Sequence, residues 1–317
     1  MRASVADQRI RSLRGPKPKT DPWSAHGTLL ERERRPNGAV ERAFTIFLAG
    51  SECPFTCSFC DLWRWTTDGA TPRGALPTQI ASSLRSLDGP PPDRVKLYNA
   101  GNFFDRRAVP IDDVPEIAGL CAPFSGVTVE SHANTIGNVT VEFARQIAGR
   151  LEIAMGLETI HPIARAQLNK RLELSRFDGA ARFLADNGID LRVFVLLGAP
   201  YVPDDESVEW TVRTAQYAAA RGASMVSLIP VRGGNGEMER LEALRQFTPP
   251  RLSQLEAALD RCVAAGFRAT AFTADLWDVD RLPACRACRS TRIERLRLMN
   301  ITGDPQPPAS CGACDGA

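Results

Sequence analysis

Hydrophobic positions fall into short apolar runs separated by stretches of helical periodicity. Residues 43–49 are a compact apolar run that predicts a buried strand. Helical spacing over 76–87, 112–121 and 141–148 is followed each time by a strand pattern, at 95–98, 126–129 and 151–157. The second half repeats the scheme. Ser175 and Asp178 resemble a capping box, Phe177, Ala181 and Leu184 share one face, and Gly188 stops the helix. Residues 191–197 are an almost wholly apolar strand. Asp204, Asp205 and Glu206 then place negative charge at the start of a helix lined by Val208, Val212, Ala215 and Ala219, which Gly222 ends. A strand over 225–229 and a stripe of Leu252, Leu255, Leu259 and Val263 complete the pattern. Strands apolar on both faces, alternating with amphipathic helices, predict a parallel sheet covered by helices. Six such units predict an α/β fold, a partial (β/α)6 TIM-like barrel with its chemistry at the C-terminal strand ends.

The flanks differ from the middle. Residues 1–43 are polar, rich in Arg and Pro, and read as a basic arm with a short helix over 29–35; residues 44–275 are the barrel; residues 276–317 are a small Cys-rich extension in which only 291–299 has helical spacing. The chain carries 39 Lys and Arg against 37 Asp and Glu. Basic side chains concentrate at both ends, and Arg281, Arg286, Arg289, Arg292, Arg295 and Arg297 are opposed in their segment only by Glu294. Such ends suit phosphate or simply water. No apolar stretch is long enough to span a bilayer and no secretory signal pattern opens the chain, so the expectation is a cytoplasmic protein with no membrane partner.

Seven of the nine cysteines fall into three tight groups, which in the cytosol reads as metal ligation rather than disulfide bonding. Cys53, Cys57 and Cys60 lie just after the first barrel strand, at spacings of four and three. Three thiolates wrap one face of a compact cluster and leave one iron open for a substrate. The alternative is a structural zinc with a fourth ligand from elsewhere. Cys285-x2-Cys288 and Cys311-x2-Cys314 supply four more thiolates, enough for tetrahedral Zn2+ or a second [4Fe–4S] cluster, and spacing leaves both open. The arginines between these pairs would give the knuckle a basic face. Cys121 and Cys262 sit on apolar helix faces and read as core. Of the three histidines, only His132 sits at a strand mouth.

The C-x3-C-x-Phe-C loop after the first barrel strand resembles the signature of the radical SAM superfamily over residues 44–275. The resemblance implies that Cys53, Cys57 and Cys60 hold a [4Fe–4S] cluster whose open iron chelates S-adenosylmethionine, and that one electron cleaves the sulfonium to a 5′-deoxyadenosyl radical. It implies a reductant such as flavodoxin or ferredoxin. It places Phe59 beside the adenine and the turn Ala100, Gly101 and Asn102 at the methionine amine, with Asn102 standing where Glu is common. The bland reading of that turn is a plain strand-to-helix connection. Glu130 and Glu158, at the mouths of two strands, are S-adenosylmethionine contacts or members of structural ion pairs. The stretch Asn169-Lys170-Arg171 would supply a cation to the ligand's carboxylate or lie in solvent.

Leu97–Asp105, Val129–Ser131 with His132 where Arg is frequent, Gly156–Thr159 and the terminal cysteine pair together resemble the branch containing the elongator catalytic subunit and the radical SAM partner of archaeosine synthase. That branch implies action on a modified tRNA base or its adduct. The same radical chemistry on a small metabolite or peptide is the alternative, and a non-enzymatic metal- or nucleic-acid-binding protein is a remote one. No general acid, base or nucleophile is assigned from sequence.

Overall fold

The structure, a computed structural model, describes residues 4–314, so the outermost three residues of the expected arm and of the expected tail lie outside it. Along the chain run α1 (Val5–Ser12), β1 (Gly27–Arg34), β2 (Val40–Leu48), α2 (Ala75–Arg85), β3 (Arg94–Asn99), α3 (Val114–Leu120), β4 (Gly126–Glu130), α4 (Asn138–Gln146) and β5 (Arg150–Glu158). There follow α5 (Pro162–Gln167), α6 (Leu174–Asp186), β6 (Asp190–Leu197), α7 (Ser207–Ala220), β7 (Met225–Pro230), α8 (Glu237–Ala243), α9 (Leu252–Ala264), β8 (Ala271–Ala274) and α10 (Arg289–Thr302). One sheet holds all eight strands in sequence order. β2 to β8 are parallel, and β1 pairs antiparallel with β2, Gly27 opposite Phe47 and Arg34 opposite Val40.

The six expected parallel strands are β2 to β7, and β8 extends them to a nearly closed, barrel-like sheet. The helix expected over 29–35 is strand β1 instead. Leu29, Glu31 and Glu33 alternate with the exposed Leu30 and Arg32, and that period of two belongs to a strand. The helix of the tail is longer than its apolar spacing suggested. It lies on β1 and β8, and it buries Ile293, Leu296 and Met299 in the main core. Cys121 and Cys262 are fully buried in that core. No helix among the described residues is long and apolar enough to cross a membrane.

The barrel's outer layer is apolar, but its lumen is ionic. Val95 and Leu97 pack in the core, whereas the alternate residues Arg94 and Lys96 meet carboxylates from other strands. Arg192 on β6 donates to both oxygens of Glu33 (2.7 and 2.6 Å) and to Glu152 Oε1 (2.8 Å). Arg35 donates to Glu152 Oε2 at 2.7 Å, and Arg94 to Glu41 at 2.8 Å. Lys96 reaches Glu31 and Glu33. Four cations thus face four carboxylates, and their charges cancel. A Cβ on Gly126 would overlap the Arg94 guanidinium, so β4 carries glycine where that side chain crosses. Burial works against the charge on Glu152, but Arg192, Arg35 and Arg94 outweigh it and hold its carboxyl down to about 2. Glu33 is likewise held well below its usual range by Arg192 and Lys96 against the effect of burial.

Removing one partner strands its neighbours in a medium that solvates charge poorly. Arg192→Met should lower the unfolding free energy by about 3–5 kcal/mol, measured by urea titration. A change below about 1 kcal/mol would mean that the lumen is wet enough to dispense with pairing. Both carboxyls have depressed folded-state pKa values. Their stabilisation is therefore complete above the unfolded value of 4.5, and it is lost as pH falls from there towards about 2. Acid unfolding of the wild-type protein should fall in that window, and Arg192→Met should flatten it.

Candidate functional site

The three-cysteine loop leaves the end of β2 and is fastened before the first thiol. Gln79 of α2 accepts from the Ala49 amide at 2.8 Å, Thr71 accepts from the Ser51 amide at 2.8 Å, and the Thr67 amide donates to Gly50 O at 2.8 Å. Beyond Cys57, the Ser58 amide donates to Leu168 O (2.9 Å), and Asn235 donates to Ser58 O (2.7 Å) and Cys60 O (3.3 Å). These bonds join the loops that follow β2, β5 and β7. Cys53, Cys57 and Cys60 are half-buried, and the Asn102 amide lies 3.9 Å from Cys53 Sγ.

Burial pushes the Cys57 thiol up to about 12, and raises Cys53 and Cys60 as well. Cys53 hinders ionisation of Cys57 and Cys60, and Cys57 that of Cys60, whereas Lys170 assists at Cys53 and Cys57. Such thiols ionise when a metal replaces their protons. A triad of half-buried thiols on one fastened loop, with one cation beside it, fits a cluster held on three sides.

The expected partners surround this loop in distinct ways. Gly101 sits at the turn after β3, where a Cβ would come 3.0 Å from Ser51 O, with Ala100 half-buried before it. Asn102 Oδ1 accepts from the His132 amide at 2.6 Å, so this side chain bridges the ends of β3 and β4 beside Cys53. Glu158 ends β5 just past a bulge, with φ of 67°, and its Oε1 accepts from Lys170 Nζ at 2.8 Å. A Cβ on Gly156 would overlap that carboxylate and crowd the ammonium, so the pair depends on the glycine. The ion-pair reading of Glu158 is therefore the one the free protein displays, and its partner Lys170 is half-buried rather than solvated. Burial would lower the Lys170 pKa, but Glu158 and the Cys57 thiolate raise it.

Glu130 ends β4 with no side-chain partner among the described residues, and burial pushes its carboxyl up to about 8. Burial thus favours its neutral form, with Glu158 adding to the effect and Lys170 opposing it. His132 is no acid–base candidate. It stacks on Phe55 (centroids 4.3 Å apart), accepts from the Asn134 amide at Nδ1 (3.1 Å), and donates from Nε2 to Lys170 O (3.2 Å). Burial lowers its pKa to about 4, so it stays neutral. Phe59 packs against the apolar cluster of Ala164, Leu196, Met238 and Leu241 beneath the ends of β6 and β7.

The second cysteine group converges fully. The four Sγ atoms of Cys285, Cys288, Cys311 and Cys314 lie within 4.8 Å of one another, with Cys288 and Cys314 at 3.8 Å. Backbone amides of Ala287 and Cys288 donate to Cys285 and lower its pKa to about 7, while proton sharing with Cys285, Cys311 and Cys288 raises Cys314 to about 12. Such amide-to-sulfur bonds favour thiolate, as a metal site requires.

The basic face expected between the pairs is largely spent on internal contacts. Arg289 donates to Leu282 O (2.9 Å) and to Asp280 O, Arg292 to Cys288 Sγ (3.1 Å) and Glu256 (2.8 Å), and Arg295 is buried against Asp260 (2.7 Å) and Gln306 O. These arginines dock α10 on α9 and on the segment before the last cysteine pair. Arg286 and Arg297 remain at the surface. The arm is similar: Arg9, Arg14 and Lys17 pair with Glu237, Glu52 and Asp68. The network of Asp7, Thr56, Asn169 and Arg171 had no sequence signal, since its members are spread from residue 7 to residue 171.

No family model matches the chain. Archaeosine synthase subunit beta of Methanosarcina acetivorans is 23% identical over 286 residues, spanning 85% of this chain and 81% of that protein. Among solved structures, methylornithine synthase (PylB) superposes with a TM-score of 0.51 at 15% identity, over 81% of each chain. A radical SAM methyltransferase from Sphaerobacter thermophilus gives 0.51 at 14% identity, over 80% of this chain and 77% of that one. The fold is that of radical SAM enzymes.

Glu130 offers a test free of any cofactor. Its folded-state pKa is raised, so the folded state binds more protons than the unfolded state between about 4.5 and about 8, and stability falls across that range. In metal-free protein, Glu130→Gln should raise Tm at pH 8 and leave it unchanged at pH 4.5. An equal shift at both values would show that Glu130 is paired or hydrated.

Proposed function

We propose that this chain, which has the fold of radical SAM enzymes, is one, and that its substrate is a modified tRNA base or its adduct. The observation that carries the enzyme reading is the loop of three half-buried thiols at the mouth of the barrel, flanked by Lys170, Glu158 and Asn102. When bound, a [4Fe–4S] cluster with one open iron supplies the electron that cleaves S-adenosylmethionine to a 5′-deoxyadenosyl radical. Cys53, Cys57 and Cys60 would hold it. The Lys170 ammonium would meet the ligand's carboxylate, and Glu130 and Glu158 would take its amine and ribose hydroxyls. The turn through Ala100 and Gly101 brings backbone close to that ligand. Phe59 would flank the adenine. The reductant is a small electron-transfer protein of the flavodoxin or ferredoxin kind, and the setting is the cytoplasm.

Two observations favour RNA. The relative from Methanosarcina acetivorans is an archaeosine synthase subunit. In addition, Trp65 and Trp277 are 48% and 51% exposed on loops following β2 and β8, with Trp277 against Phe47 at the end of β2 and its carbonyl accepting from Arg232. Exposed aromatic faces beside arginine are platforms for unstacked bases.

The four-thiol cage is proposed to hold one zinc ion. Tetrahedral Zn–S bonds of about 2.3 Å place sulfurs about 3.8 Å apart, which is the Cys288–Cys314 spacing. A four-iron cube would hold its cysteine sulfurs farther apart. Reconstituted protein should therefore contain about one zinc and about four iron per chain, and Cys311→Ser should lose zinc while keeping iron. About eight iron and no zinc in the wild type, with half of that iron lost in Cys311→Ser, would assign the cage to a second cluster.

The experiment for the reaction is anaerobic turnover with dithionite and S-adenosylmethionine, quantifying 5′-deoxyadenosine with and without bulk tRNA. Cys57→Ala should abolish product, and tRNA should stimulate the wild type at least about tenfold, a difference of about 1.4 kcal/mol at the transition state. Product that tRNA does not stimulate would transfer the substrate search to metabolites and peptides. Iron-loaded protein that yields no more product than Cys57→Ala would overturn the enzyme reading.

A further inference from the structure

One carboxylate ties the N-terminal helix to the candidate site. Asp7, on α1 and 4% exposed, accepts at Oδ1 from the Thr56 hydroxyl and from Asn169 Nδ2 (2.9 Å). Its Oδ2 accepts from the Ser4 amide (2.7 Å) and from the Arg171 guanidinium. Thr56 lies between Cys53 and Cys57. Asn169 and Arg171 flank Lys170, whose ammonium reaches Glu158 at 2.8 Å. Asn169 Nδ2 also donates to Thr56 O at 2.8 Å, so the two loops touch directly as well as through Asp7.

The turn at 169–171 would not choose this shape unaided. Asn169 and Arg171 both occupy the left-handed region, with φ of 56° and 57°. Such positions cost roughly 1–3 kcal/mol for residues other than glycine and persist where their surroundings over-determine them. Here the side chains of both residues end on Asp7, while Lys170 between them points to Glu158. Burial opposes the charge on Asp7, but the bonds from Thr56, Asn169 and Ser4 outweigh it and hold the carboxyl well below its ordinary value. The rest of the segment is fastened along the same line. Arg9 pairs with Glu237 at the start of α8 (3.1 Å), and Arg14 pairs with Glu52 (2.7 Å) while its guanidinium sits 4.8 Å from the Trp63 ring.

We propose that Asp7 is a positioning residue: through Thr56 it fixes the ligand loop, through Asn169 and Arg171 it fixes the turn that presents Lys170, and so it sets the one relative to the other. The N-terminal helix is then a wall of the cofactor pocket rather than a free basic arm. What the pocket binds rests on the radical SAM reading; the coupling itself is a property of the metal-free chain. Asp7→Asn keeps the shape but turns one acceptor into a donor that faces donors, and it removes the counter-charge of Arg171.

The first readout is hydrogen exchange of the metal-free, full-length protein. Peptides spanning 53–60 and 168–171 should exchange at least about tenfold faster in Asp7→Asn than in wild type, with β3 unchanged. The exposed neighbour Arg11→Ala should leave both segments as they are. In the reconstituted protein, Asp7→Asn should raise KM for S-adenosylmethionine about tenfold, equivalent to about 1.4 kcal/mol, with kcat within about twofold. The ligand-induced change in the electron paramagnetic resonance of the reduced cluster should weaken in parallel, and Asp7→Glu should recover part of each effect. If Asp7→Asn fails to accumulate, Thr56→Val, which removes one partner without altering charge, reads the same exchange. Unchanged exchange in both segments together with unchanged KM would overturn the proposal. Failure of the wild type to cleave S-adenosylmethionine would instead sink the functional reading, and the exchange comparison would still decide the coupling.

Discussion

The constraint on which the rest of the molecule depends is electroneutrality inside the barrel. Seven parallel strands leave a lumen into which Arg94, Lys96 and Arg192 project, and no burial of aliphatic groups would offset three isolated charges there. Antiparallel β1 answers this by carrying Glu31 and Glu33 into the same space, with Arg35 following to meet Glu152. Its place beside β2 is thus set by charge as much as by the ladder. Partners such as Glu33 and Arg192 are 159 residues apart, so neutrality is reached only when β6 is in place. Partly formed barrels would hold uncompensated ions, which favours an all-or-none transition.

A rigid, neutral lumen gives the mouth of the barrel a firm base. The loops after β2, β3, β4 and β5 rise from strands whose register is pinned, and each is then tied to its neighbour by a small number of polar bonds. Asn102 spans the ends of β3 and β4, Asn235 and Leu168 hold the ligand loop, and the Glu158–Lys170 pair lies over Gly156. The thiols are the exception to this saturation. They and Glu130 have poor protein partners, as do the buried Ser51 and Ser58 hydroxyls on the loop after β2 and the Asn99 amide at the end of β3.

What could be read in advance follows from what a single sequence displays. Apolar runs such as 191–197 announce buried strands, and the cysteine spacings announce ligands, because both are local patterns. The lumen was illegible for the opposite reason. Arg94 and Lys96 alternate with Val95 and Leu97, and nothing nearby says that carboxylates from β1 and β5 will meet them. Leu29 to Arg35 suits a helix or a strand equally until Glu33 is known to be buried. Counting arginines at 281–297 suggested a basic face, but a count does not show that Arg289, Arg292 and Arg295 are taken up by carbonyls, carboxylates and a thiol. His132 attracted notice as a titratable group at a strand mouth, and stacking on Phe55 makes it a spacer instead.

Cys288 stands at two boundaries at once: it is a corner of the four-thiol cage and the residue at which α10 begins. That helix lies along the seam between the first and last strands and carries three core side chains into it. Filling of the cage by the proposed zinc would therefore bear on how the barrel's seam is covered. Without that ion the last helix would lose its tether, the seam its cover, and apolar side chains such as Ile293, Leu296 and Met299 would be open to aggregation, whatever the state of Cys53, Cys57 and Cys60.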